Sequence, residues 1–262
     1  MTMNSLRGIL VLCFYGVSTA LLTLVSLVVS IWSERRARAL GRVWARANLG
    51  VAGIKVKVEG TENLPARTLT GDHERGFMIA ANHRSAADIF AIMAGLPLDL
   101  CWVARASLLK KPFMGWYLKR LHIPLKRGSV GSAKRFIREG KSKLDSGAAV
   151  MVFPEGTWRE DPGPMLPFKK GSFLLARTAE RPIVPLAILG SQELLPPGKL
   201  IPKKETITLR IGQPIDSKQF KNLDQLAEET YRAITELLSE TGETGEMGET
   251  GETGETGKTG MR

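Results

Sequence analysis

GFMIAANHRSAADIFAIMAGL, residues 76–96, changes its period part-way. Residues 76–81 form a continuous apolar run, the pattern of a strand buried on both faces. From Ser85 onward the apolar positions take helical spacing, and NHRSAAD (82–88) lies across the change. A second stretch, AAVMVFPEGTWR (148–159), has the same layout: an apolar run opens abruptly into Pro-Glu-Gly-Thr. The pattern extends in both directions. VAGIKVKVEG (51–60), LDLCWVA (98–104), PIVPLAIL (182–189) and ETITLRIG (205–212) read as strands. Residues 130–147, 171–180 and 216–240 read as helices, the first stopped by glycine. Strands alternating with helices of this length predict an α/β fold, a mixed, largely parallel sheet flanked by helices. In such sheets ligands bind beyond the carboxyl ends of the strands, where both motifs lie.

Ahead of this domain, residues 8–32 run 25 positions without a charge. About 20 suffice for a helix to cross the hydrocarbon core. A signal peptide has a shorter apolar region and a small-residue cleavage site. Here the run ends in Ile-Trp and meets SERRARALGR, so a membrane-anchor helix is expected. Arg35, Arg38, Arg42 and Arg46 then recur at helical spacing on one face, with Leu40, Val43, Trp44 and Ala47 mostly on another. Two readings fit: a helix in the membrane interface, or an amphipathic helix packed on the domain. Positive charge follows the anchor, with only Arg7 before it, which places the bulk of the chain on the cytoplasmic face. The division expected is anchor and basic interfacial helix in 1–50, a catalytic domain in 51–240, and a tail in 241–262. That tail has glycine at every third position, without the proline of collagen, and reads as disordered and acidic.

The chain carries a formal net charge of +11. The tail contributes −3, which leaves +14 on residues 1–240. Such a balance favours anionic partners, and beside an apolar anchor membrane lipids fit better than nucleic acid. Cys13 and Cys101 form no disulfide framework, and no Cys/His spacing indicates a metal site.

An alcohol is a poor nucleophile at neutral pH and needs a base within hydrogen-bond reach. Neutral imidazole suits the task, and a carboxylate on its other nitrogen fixes the tautomer and stabilises the imidazolium. With a helix starting near Ser85, Asp88 points back from its first turn toward His83. In the second motif, backbone N–H groups at Pro-Glu-Gly-Thr, with Arg159, Lys169 and Lys170 nearby, form a phosphate cradle. Taken singly, a lone histidine is more often a satisfied structural one, and Pro-Glu-Gly-Thr alone does not exclude a β-turn with an exposed acid.

Taken together they resemble the glycerolipid acyltransferase family. Asn82, His83 and Asp88 match its first block, residues 153–157 its Phe-Pro-Glu-Gly-Thr block, and 166–171 the Leu-Pro-Phe-Lys-Lys-Gly continuation. Arg105, Leu108, Gly115, Trp116 and Arg127 look like its second block, and Val184 with Pro185 its fourth. The resemblance runs over about residues 50 to 235, in order. It implies transfer of a fatty acyl group from acyl-CoA or acyl carrier protein, as co-substrate without a further cofactor, to the hydroxyl of a lysophospholipid. The acceptor it points to is 1-acylglycerol-3-phosphate at its sn-2 position. His83 and Asp88 are then catalytic, and Glu155, Gly156, Thr157, Arg159, Arg127 and Arg105 bind the acceptor's phosphate. The family usually has Arg directly after Glu-Gly-Thr, where this chain has Trp158 and only then Arg159. Another lyso-lipid acceptor therefore stays open, as does a non-catalytic protein that binds anionic lipid.

Overall fold

The computed structural model describes residues 3–65, 76–126, 130–157, 163–194 and 206–239. Among them run seven strands: β1 (Lys55–Glu59), β2 (Met78–Ala81), β3 (Leu100–Arg105), β4 (Ile123–Leu125), β5 (Ala149–Val152), β6 (Ile183–Leu189) and β7 (Thr206–Ile211). They form one sheet in the order β1-β7-β6-β2-β5-β3-β4. Every pairing is parallel except β6 with β7. The mixed, largely parallel sheet expected from the alternation is therefore present, with β2 at its centre.

Helices cover both faces. On one side lie α2 (Glu34–Ala52) and α3 (Ala87–Gly95), on the other α5 (Val130–Asp145), α6 (Lys170–Ala179) and α8 (Leu223–Ser239). The strands' apolar runs are divided by their pleat. Ile79 and Ala81 of β2, Met151 of β5 and Val184, Leu186 and Ile188 of β6 join the α2/α3 core. Met78, Ala80, Val150, Val152, Ile183 and Ala187 join the α5/α6/α8 core. With both faces buried, no alternation of polar residues survives, which is why these strands read as continuous apolar stretches.

The first helix, α1 (Met3–Val29), lies along α2 as a hairpin. Its polarity is the reverse of a soluble helix. Val17 and Leu21 are more than 60% exposed, while Thr23, Ser26 and Ser30 are buried. Asn48 Nδ2 donates to Ser18 Oγ at 3.1 Å and Ser26 Oγ to the Ala37 carbonyl at 3.3 Å. Gly8–Val29 is long and apolar enough to cross a membrane.

Several boundaries differ from those expected. The α2 helix runs past residue 50 to Ala52 and closes on Gly53, whose φ of 73° suits a left-handed cap. The boundary drawn at residue 50 thus falls inside an element. Of the two readings of its arginine face, packing on the domain describes Arg38, Arg42 and Arg46. Arg38 makes a bidentate pair with Asp99 at 2.7 and 2.8 Å, Arg42 donates to the Leu98 carbonyl and Arg46 to Ala94, in the last turn of α3. Trp44 stacks on Phe90 at 4.7 Å rather than reaching outward. Among the described residues of 216–239 only α8 is α-helical. Asp216 caps a separate 3₁₀ turn at Ser217–Gln219. A short helix, α4 (Met114–Leu121), and β4 lie between β3 and α5, where no element was expected. A one-turn helix, α7 (Ser191–Leu194), follows β6. The tail, 241–262, lies outside the described residues.

Candidate active site

Three neighbouring parallel strands, β2, β5 and β3, end at one edge of the sheet. Residues 82–88 leave β2, residues 153–157 leave β5, and Arg105 closes β3. Topology alone therefore gathers segments more than 70 residues apart.

Asn82 extends β2 by side chain. Its Nδ2 donates to the Ile188 carbonyl at 2.9 Å and its Oδ1 accepts from the Ile188 N–H at 2.7 Å. This two-bond bridge fixes the exit of β2 against β6 and so aims the next residue. That residue, His83, is 7% exposed, and its Nδ1 lies 2.7 Å from Asp88 Oδ2. Asp88 is fully buried in the first turn of α3, where the helix dipole favours a carboxylate. The same oxygen accepts from the backbone N–H groups of Arg84 at 2.8 Å and Ser85 at 3.0 Å. With an ionised Asp88 as acceptor, the proton sits on Nδ1 and the lone pair on Nε2, at the far side of the ring. The imidazole stacks on Phe153, centroids 3.8 Å apart and planes 7° from parallel. Trp102 supports Phe153 from 6.0 Å. The ring is therefore held in plane by one contact and in rotation by another.

Glu155 requires a correction. It was read as a residue that meets the acceptor's phosphate, yet its carboxylate is 1% exposed and turned inward. Oε1 accepts from the His83 backbone N–H at 2.9 Å and Oε2 from the Leu166 N–H at 2.8 Å. A buried carboxylate with that job cannot also receive an anion. It ties the two motifs and the 163–169 segment together. Gly156, with φ 74°, makes the turn that lets residue 155 face back into the protein. Its carbonyl accepts from Arg105 at 2.6 Å, through one of the five donors of a guanidinium. The structure thus joins His83, Asp88, Glu155, Gly156 and Arg105 into one cluster, with Thr157 beside it in the chain. Lys170, read as part of a phosphate cradle, pairs instead with Asp224 of α8 at 2.6 Å. Arg127, Trp158 and Arg159 lie outside the described residues.

Sequence reasoning gave no role to Asn82 or Phe153, though both stand inside the quoted motifs. Their residue types were legible, but not their partners across the sheet. Other reactive groups are removed from the chemistry. Burial pushes the Cys101 thiol up to about 12, so it offers no thiolate for an acyl-enzyme. His122 is buried, and desolvation first, then Arg38 and Lys143, hold it down at about 3. Among the described residues no group of three or more His, Cys, Asp or Glu gathers for a metal.

Known proteins resemble the chain over most of its length. The sequence profile of the family described as Acyltransferase matches residues 55–189. The 1-acyl-sn-glycerol-3-phosphate acyltransferase of Bacillus subtilis is 31% identical over 187 residues, 71% of this chain and 85% of that one. The enzyme of the same name from Saccharomyces cerevisiae is 30% identical over 195 residues, 72% of this chain and 62% of that one. Among solved structures, the 1-acyl-sn-glycerophosphate (LPA) acyltransferase PlsC from Thermotoga maritima superposes with a TM-score of 0.69 at 30% identity. It covers 91% of this chain and 99% of its own.

Proposed function

The chain belongs to the acyltransferase family, and on that premise we propose that it acylates the sn-2 hydroxyl of 1-acylglycerol-3-phosphate to give phosphatidic acid. The donor is the thioester of acyl carrier protein or acyl-CoA. His83 Nε2 takes the hydroxyl proton as the acceptor oxygen attacks the thioester carbonyl. The tetrahedral intermediate collapses with loss of the C–S bond, and the imidazolium returns its proton to the leaving thiolate. One ester and one thiol form, and the histidine ends neutral. Asp88 holds the tautomer and offsets the charge that appears on the ring. The acceptor's phosphate is met by Arg105 and the Gly156–Thr157 backbone, with Arg127 and Arg159 as further cations. Glu155 acts by position alone.

The observation that carries this reading is the His83–Asp88 contact of 2.7 Å, buried on the carboxylate side and stacked on Phe153, at the edge where Arg105 stands. Membrane placement follows from lipid substrates and from α1, whose apolar side faces outward. Residues 1–50 then anchor the chain, and the catalytic domain lies on the cytoplasmic face. Trp158, in place of the usual Arg, favours a second reading: the same chemistry on another lyso-lipid such as lyso-ornithine lipid or lysophosphatidylglycerol. Purified protein in vesicles, given radiolabelled acyl thioester and a panel of lyso-lipids, separates these. Product from 1-acylglycerol-3-phosphate is expected. Product only from another acceptor overturns the acceptor assignment. Fatty acid released without an acceptor indicates a hydrolase, and vesicle binding without turnover a lipid-binding protein.

A further inference from the structure

The segment Lys110-Lys111-Pro112-Phe113-Met114-Gly115-Trp116 takes a backbone shape that ordinary turns avoid. Phe113 has φ 60° and ψ −63°, and the Met114 N–H donates to the Pro112 carbonyl at 2.6 Å. This is a γ-turn of the rare hand, a strained conformation and an unusual one for an aromatic residue. The surroundings enforce it. Gly115 lies so close to Leu109 that a Cβ would sit 2.2 Å from the Leu109 carbonyl oxygen. Strain that the neighbours over-determine is found where a side chain is being presented for use.

What the turn presents is apolar. Phe113 is 37% and Trp116 55% exposed, and their rings meet edge-to-face at 5.6 Å. Lys110, Lys111 and Lys119, in the same stretch of chain, are exposed as well. The other side of α4 packs on the N-terminal hairpin, Tyr117 and Leu121 against Leu22 and Val29. Arg120 bonds to Glu34 at 2.9 Å and to the Ser30 carbonyl at 3.0 Å, at the α1–α2 turn. The aromatic tip is thus continuous with the helix that bears the outward apolar face. An exposed aromatic pair with three exposed lysines close in the chain complements a lipid leaflet with anionic head groups.

We propose that the tip of α4, Phe113 and Trp116 among Lys110, Lys111 and Lys119, is a second membrane contact that enters an anionic leaflet beside α1. It holds the end of β3, and with it Arg105, at head-group level, because only the 3₁₀ turn Ala106–Lys110 separates them. The inference rests on the membrane placement of α1 but not on the identity of the acceptor.

The test uses the full chain and vesicles of phosphatidylcholine and phosphatidylglycerol whose acyl chains carry bromine. The emission lost on Trp116→Phe reports Trp116 alone. That difference emission should be strongly quenched by the brominated lipid. Protein that floats with the vesicles while this emission stays unquenched overturns the proposal. Protein that fails to float contradicts the placement of α1 itself. Phe113→Gly supplies a second arm, since glycine accepts the positive φ and removes only the ring. It should raise the urea midpoint yet lower turnover of vesicle-borne acceptor several-fold, with a short-chain, monomeric acceptor unaffected. Equal losses on both acceptors would assign the ring to the fold instead. Each lysine changed to Gln should weaken partition into anionic vesicles about fivefold, and no change would remove the charge argument.

Discussion

His83 is set by contacts of three kinds: a carboxylate on Nδ1, an aromatic face beneath the ring, and a buried glutamate on its own backbone N–H. The glutamate gives the sharpest residue-level prediction. Glu155→Gln keeps the shape but turns one acceptor into an NH₂ that faces an N–H donor. A loss of about 1–3 kcal/mol in urea unfolding is expected, together with a fall in kcat and little change in KM. A rise in KM alone would return Glu155 to substrate binding. A second prediction concerns pH. Desolvation holds His122 near 3 in the fold, against 6.5 when free. Below the free value the unfolded chain binds a proton that the folded one refuses, so this contribution to stability is lost as pH falls toward the folded value. The slope reaches about 1.4 kcal/mol per pH unit. His122→Asn keeps an acceptor for the Trp102 N–H, whose bond to Nδ1 is 3.2 Å. The variant should flatten stability between neutrality and mild acid in urea titrations, and an unchanged slope would contradict the burial argument. The pairing of His83 with Asp88 was legible because both lie within one strand-to-helix turn. The direction of Glu155 was not, because its partner is 72 positions away and a motif names a residue without saying which way it points.

At the scale of elements, the sheet was readable wherever a strand is buried on both faces, as in β2, β5 and β6. What escaped was short or bent by local bonds. The β4 strand has three residues, one of them Pro124, too few to show a period. The start of α8 was placed early because Asp216 and its 3₁₀ turn carry helix-like polarity. The arginines of α2 show why periodicity has a limit: spacing says which residues share a face and not what the face meets. Their docking makes a measurable claim. Arg38 and Asp99 form a buried, bidentate pair whose side chains are 5% and 12% exposed. Arg38→Ala leaves a buried carboxylate unpaired and should cost about 3–5 kcal/mol. Replacing both, Arg38→Met with Asp99→Leu, should recover most of it. If the double variant is no more stable than the single one, the cost lies in packing of α2 and not in the stranded charge.

At the scale of the molecule, two layers with different tasks enclose the sheet. The α2/α3 side carries the α1 hairpin and its outward apolar residues, while α5, α6 and α8 close the opposite face. The edge that carries the candidate site lies at the ends of strands shared by both layers, so the site is built on neither face alone. This plan was legible in outline, since the N-terminal apolar helix, the α/β fold and the two motif blocks each have their own signature in the chain. The hairpin was not, because the apolar run shows length while the polar stripe of Thr23, Ser26 and Ser30 gains meaning only once α2 is seen against it. The account turns on one group, the imidazole of His83, acting as base for an acceptor delivered at the membrane. The most direct measurement is turnover of radiolabelled acyl thioester and 1-acylglycerol-3-phosphate by full-length His83→Ala in vesicles, with flotation and urea unfolding matched to the unaltered protein. A fall in kcat of about 10²–10⁴-fold is expected; turnover close to the unaltered rate in a folded, membrane-bound variant would contradict it.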